Sequence, residues 1–150
     1  MANTYTSLHY HLIFSTKGRE RFLKEAIEAR VWSYLGGIAK EHKLHPKLIG
    51  GFDDHVHMLI GIPPVLSVSD AVKQIKGGSS SWIKETYSEC RAFAWQDGYA
   101  AFTVSKSNVP QVEEYIRSQR DHHQSRSFME EYKAFLEKHD VEYDERYVFD

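Results

Sequence analysis

The chain has 150 residues, 41% hydrophobic and 13% aromatic, enough for one domain (1–150) with a buried core and too apolar for general disorder. No apolar run approaches the ~18 residues of a membrane span, no signal-peptide pattern opens the chain, and the single cysteine, Cys90, excludes an intrachain disulfide; together these point to a cytoplasmic protein. The formal charge of −2 is uneven: residues 130–150 hold eight acids and three bases, so an acidic tail follows a body carrying +3, weak support for a phosphate-bearing partner.

Residues 7–16 (SLHYHLIFST), rich in aromatic and β-branched side chains, predict a first strand. After a turn at Lys17-Gly18-Arg19, the spacing of Phe22, Leu23, Ile27, Val31, Tyr34, Leu35 and Ile38 predicts a helix over 20–41, weakened at Gly36-Gly37. Residues 44–52 and 55–62 read as two strands joined by a turn at Asp53-Asp54, the second stopped by Pro63-Pro64. A second helix is predicted over 67–86, with Ser67 as N-cap and a break or bend at Gly77-Gly78-Ser79. Residues 93–105 predict a further strand, entered through a hairpin at Asp97-Gly98. Asn108 then caps a third helix over 109–123 with Pro110 at its start, and 128–139 form a short fourth helix. The order β-α-β-β-α-β followed by helices predicts an α+β, ferredoxin-like antiparallel sheet with C-terminal helical additions.

His55-Val56-His57 carries the strongest chemical signal. Alternation along a strand puts both imidazoles on one face, about 7 Å apart along the backbone, where they can converge on one divalent metal. Asp53 and Asp54, just before, read equally as orienting partners of a ligand and as turn formers. A bare H-x-H is unspecific, and His9-Tyr10-His11 offers the same spacing on another predicted strand. In VPQVEEYIRSQRDHH, Tyr115 and Gln119 are four apart, hence on one helix face. A phenol is a weak nucleophile that needs an activated electrophile, and an amide carbonyl is a hard ligand suited to Mg2+ or Mn2+. On spacing alone, the plainer reading prevails: Tyr115 as a helix residue packed on the sheet and Gln119 as a solvent-facing amide.

Taken together, LHYHLIFSTKGR, DDHVHMLI, VKQIKGGSSSWI, WQDGYAAFTVS and YIRSQ resemble, in order and spacing, the HUH single-tyrosine transposases, which include the insertion-sequence and REP-associated enzymes. The tail from Asp121-His122-His123 onward is also similar to one branch of that family. The resemblance favours His55 and His57 over His9 and His11 as metal ligands and Gln119 as the third. It implies that Tyr115 cleaves single-stranded DNA at an element end, leaving a free 3′-hydroxyl and a 5′-phosphotyrosine, and that reversal onto a new 3′-hydroxyl rejoins the strand. It further implies recognition of DNA hairpins and a homodimer, in a family whose members often let the tyrosine helix of one protomer serve the histidines of the other, so that Tyr115 could act in cis or in trans. The connector Lys106–Pro110 lacks a glycine, which bears on how far the tyrosine helix swings, and His122 lies near the Tyr115 face. Candidate phosphate contacts are Lys17, Arg19, Arg21, Lys73, Lys76, Lys106 and Arg120, with a close backbone approach over 77–81. Trp82 and Trp95 are candidates for base stacking or core packing. The alternatives are a domesticated relative that binds hairpins without transposing, an HUH nickase, and a non-catalytic RNA-binding module, the last lacking its aromatic strand motif.

Overall fold

The computed structural model describes residues 3–123 and 125–149; Asp150, the end of the acidic tail, lies outside them. Four strands, β1 (His9–Ser15), β2 (His45–Phe52), β3 (His55–Gly61) and β4 (Ala100–Val104), form one antiparallel sheet in the order β2-β3-β1-β4. With helices α1 (Glu25–Glu41) and α2 (Val68–Thr86) between them, this is the expected ferredoxin-like topology. Three further helices follow: α3 (Val109–Arg117), α4 (Gln119–His122) and α5 (Phe128–Lys138). No helix of the described residues is long and apolar enough to cross a membrane.

The sheet is covered on both faces, which explains why β3 is buried at every position. Leu12, Phe14, Val56, Met58 and Ile60 point to the layer formed by α1 and α2, where they meet Val31, Leu35, Ile75 and Ile83. The alternate residues face α3, α4 and α5: Ile13, Ala100 and Phe102 pack against Phe128, Tyr132 and Leu136, and Leu59 packs against Val109 and Ile116. Two glycines permit close backbone approaches, one to the second layer and one within the β2–β3 pair. A Cβ on Gly50 would lie 2.9 Å from the Ile116 carbonyl oxygen of α3, and one on Gly51 would lie 2.2 Å from the His55 carbonyl oxygen across the β2–β3 turn.

Several boundaries differ from expectation. Residues 20–24 are irregular rather than helical: the Leu23 N–H bonds to the Asp53 carbonyl (2.8 Å) and Phe22 packs on Phe93. Ser67 does cap α2, accepting the Asp70 N–H at 3.1 Å, and that helix passes through Gly77-Gly78-Ser79 unbroken. The Ser79 hydroxyl turns back to the Ile75 carbonyl and receives the Trp95 indole N–H at 2.9 Å. Only Ala100–Val104 of the predicted 93–105 strand is a strand, and no hairpin forms at Asp97-Gly98. Gln96 bonds instead to the Ser15 backbone through both its own N–H (2.8 Å) and its side-chain oxygen (2.7 Å), replacing a ladder with a single β-bridge between Thr16 and Trp95. Asn108 occupies the cap position of α3 without a side-chain cap bond. The third helix also ends early. Ser118, at φ −97° and ψ 22°, donates its hydroxyl to the Glu114 carbonyl (2.8 Å), and this back-bonding separates α3 from α4.

Candidate metal centre and tyrosine site

Strand pairing assembles the site. His55 lies opposite Ser15 and Phe52, and His57 opposite Ile13 and Gly50, so both imidazoles stand on the face covered by α3–α5, and both are fully buried. Each ring is held from behind through Nδ1. His55 Nδ1 pairs with Asp54 Oδ1 at 2.7 Å, and His57 Nδ1 with His11 Nε2 at 2.7 Å. This leaves both Nε2 atoms directed at a common point, the arrangement metal-ligating histidines adopt. Asp54 therefore orients a histidine, whereas Asp53 joins a separate ion-pair cluster. His11 of the competing H-x-H is in the site as the support of His57, a role legible only once the β1–β3 register is known.

Two oxygen donors face the pair. Gln119, buried at the start of α4, places Oε1 2.9 Å from His55 Nε2. Glu131, on α5, was not anticipated. Its Oε1 lies 3.3 Å from His55 Nε2 and 3.1 Å from His57 Nε2, and ligand atoms of His55, His57 and Glu131 all fall within 4.8 Å of one another. Its Oε2 accepts the Tyr115 hydroxyl and the Gln119 amide N–H (3.0 Å). His123 closes the group, its Nε2 3.1 Å from Gln119 Oε1 and 3.2 Å from Glu131 Oε1. Two imidazole nitrogens, a carboxylate oxygen and an amide oxygen suit a divalent metal of the Mg2+ or Mn2+ type, so the residues present fit the ion the sequence implied.

Electrostatics within the cluster are strong because His55, His57, Gln119 and Glu131 are buried. Burial opposes a charge on His55, yet hydrogen bonds and charge from Asp54 and Glu131 outweigh it and raise its pKa to about 9. His57, dominated by burial, is lowered, and burial also lowers His11. For Glu131 burial favours the acid, but His57 and the hydrogen bonds from His123, His55 and His57 hold it far below the usual carboxylate range. Tyr115 is pushed well up, first by burial and then by the Glu131 charge, so the phenol keeps its proton in this arrangement. The Tyr115 ring lies 5.8 Å from His57 and 4.6 Å from His122, all within one chain. His122 thus borders the tyrosine, with Nδ1 buried and without a hydrogen-bond partner.

The cations expected at DNA are placed unequally. Lys17, Arg21, Lys73 and Lys106 are exposed. Lys17 lies 3.6 Å from Asp97, and Arg21 and Arg19 lie over the rings of Phe52 and Phe149. Lys76 donates to the carbonyls of Gln96 (2.7 Å) and Gly98 (2.6 Å), pinning the irregular 93–99 stretch. Arg120 is held by Glu28 (2.6 Å) and Asp53 (3.0 Å), an internal tie between α4, α1 and the β2–β3 turn that uses the fork a phosphate would need. Trp95 is buried in the core, whereas Trp82 stacks on Tyr34 at 4.1 Å at the outer face of α1 and α2.

A ferredoxin-like sheet with paired histidines on its central strand and a tyrosine on a covering helix is the arrangement expected of the single-tyrosine transposases that the sequence resembles. Comparison with known proteins agrees: residues 4–119 match the IS200-like transposase family, and the chain belongs to it. It is 30% identical over 119 residues to the ISDra2 transposase TnpA of Deinococcus radiodurans, covering 76% of this chain and 85% of that one. Identity to the transposase for insertion sequence element IS200 of Salmonella typhimurium is also 30%, over 79% of this chain and 81% of the other. Among solved structures, a Deinococcus radiodurans protein assigned as a transposase superposes with a TM-score of 0.65 at 27% identity, over 79% of this chain and 96% of its own. A REP-associated tyrosine transposase bound to a REP hairpin shares the fold (TM-score 0.58, 11% identity, 82% and 74% coverage). Glu131 and α5 lie outside the family match.

Proposed function

We propose that this transposase cleaves and rejoins single-stranded DNA at hairpin-bearing ends, with Tyr115 as nucleophile and His55, His57, Gln119 and Glu131 as the ligands of a divalent metal. The observation that carries this reading is the convergence of two rear-supported imidazoles, an amide oxygen and a carboxylate beside a tyrosine hydroxyl. Bound there, Mg2+ or Mn2+ would supply positive charge to the scissile phosphate. The Tyr115 oxygen gives up its proton to solvent and forms the new bond to phosphorus, while the 3′-oxygen departs with its electron pair and takes up a proton, leaving a 5′-phosphotyrosine and a free 3′-hydroxyl. A second 3′-hydroxyl attacking that ester restores the tyrosine and rejoins the strand without external energy. The exposed Lys17, Arg21, Lys73 and Lys106 are proposed phosphate contacts, with Arg19 and Lys76 contributing only after giving up their present partners and Arg120 remaining an internal tie. A homodimer is the proposed assembly; since Tyr115 already lies beside the histidines of its own chain, each protomer would hold a complete site.

The test incubates the protein with Mn2+ and single strands taken from the DNA flanking its gene, and looks for an SDS-resistant adduct. The adduct should form in the parent, vanish in Tyr115→Phe and fall sharply in His57→Ala. An adduct that persists in Tyr115→Phe overturns the nucleophile, and loss of hairpin preference over a plain duplex overturns the substrate.

A further inference from the structure

Beside Tyr115 and His11, β4, α3 and α5 line an open cavity of about 430 Å3. One wall is a slab of nearly parallel rings. His139 stacks on Phe102 (4.2 Å, 21°), and Phe135 lies alongside both (20° and 16°). His139 Nδ1 pairs with the Phe135 carbonyl at 2.9 Å, which fixes the imidazole in the slab. The α3 wall presents two amides, Asn108 and Gln111, in line with Tyr115 at helical spacing. Arg126 and Lys138, both exposed, complete the lining.

We propose that this cavity is a nucleobase pocket that takes the nucleotide next to the scissile phosphate out of the strand; the proposal rests on Tyr115 being the nucleophile. Each part matches one part of a nucleotide. A fixed π-surface receives the face of any base. Side-chain amides, each with donors and an acceptor, read a base edge, as they do bidentately with adenine. Two cations serve the flanking phosphates. The volume suits a base with its sugar and falls within the roughly 300–1,000 Å3 of small-ligand pockets. The edge-reading amides lie within the segment matched by the family, whereas α5, outside that match, supplies Phe135 of the aromatic wall and Lys138.

The experiment titrates the full-length protein with the four deoxynucleoside 5′-monophosphates and with deoxyribose 5-phosphate, following the side-chain amide resonances of Asn108 and Gln111. At least one nucleotide should shift both amides and bind on the order of tenfold more tightly than the sugar phosphate. In Gln111→Ala, an exposed position, that advantage should shrink while the backbone spectrum stays native. Equal binding of the sugar phosphate, or shifts that map to Trp82 and Tyr34 instead, overturns the pocket. The readout needs no cleavage. An adduct that forms on Tyr115 equally well when every base beside the scissile phosphate is replaced by an abasic site would therefore sink the pocket and leave the nucleophile standing.

Discussion

Replacing Glu131 with glutamine keeps the shape of the side chain and removes its charge from the middle of the site. The carboxylate is 1% exposed and faces five donors or imidazole nitrogens, from Tyr115, Gln119, His55, His57 and His123. An amide has only one acceptor oxygen, so its NH2 group would confront either the imidazoles or the Tyr115 and Gln119 donors. Removing one partner of a buried charged pair costs about 3–5 kcal/mol. At roughly 2–4 °C per kcal/mol for a chain of this size, the melting temperature in EDTA should fall by about 6–20 °C. Thermal unfolding followed by circular dichroism measures it directly. A Glu131→Gln protein melting within ~2 °C of the parent would refute the reasoning, since the carboxylate could not then be the acceptor that holds the imidazoles and α5 together.

Adding Mn2+ at a hundred times its dissociation constant should stabilise the parent by about 2.7 kcal/mol and leave His57→Ala nearly unmoved in the same melting assay. Gly51→Ala drives a methyl into the His55 carbonyl, so it should cost about 3 kcal/mol and weaken Mn2+ binding as well; native metal affinity in that variant would contradict the close approach. Ser79→Ala strands the buried Trp95 N–H and should cost about 1–3 kcal/mol in urea unfolding. Arg120→Ala should lower stability by about 1–3 kcal/mol through loss of Glu28 and Asp53. It should leave the salt dependence of DNA binding unchanged, whereas a drop of about one in the log–log slope would mark a phosphate contact.

Strand positions and their facing were legible because alternation is a local property: His55 and His57 share a face whatever surrounds them. Glu131 was not, although its place carried a signal. Phe128, Tyr132, Phe135 and Leu136 mark the inward stripe of α5, and Glu131 sits within that stripe, an acid where helical spacing demands an apolar residue. A charge so placed needs a buried partner, yet which one depends on contacts 74 residues away in sequence. His11 was hidden for the same reason, since only the register opposite Leu59 sets it beside His57. The missing hairpin at Asp97-Gly98 shows the opposite failure, a strong local turn signal overruled by the Gln96 side chain bonding to β1. Ser118 ended a helix that its neighbours' spacing would have continued, by returning its hydroxyl to the preceding turn.

The histidines and the tyrosine belong to parts of the molecule with different resistance to opening. β3 is bonded to a strand on each side and buried along its whole length, so its amides should exchange with solvent deuterium only through global unfolding. Tyr115 rides on a nine-residue helix that ends at a serine kink and rests on the sheet mainly through Val109, Val112 and Ile116. Such a segment can detach locally for a fraction of the global free energy. Hydrogen exchange should therefore resolve a two-speed site, with the histidine strand nearly static on the timescale over which the tyrosine helix lifts and resettles.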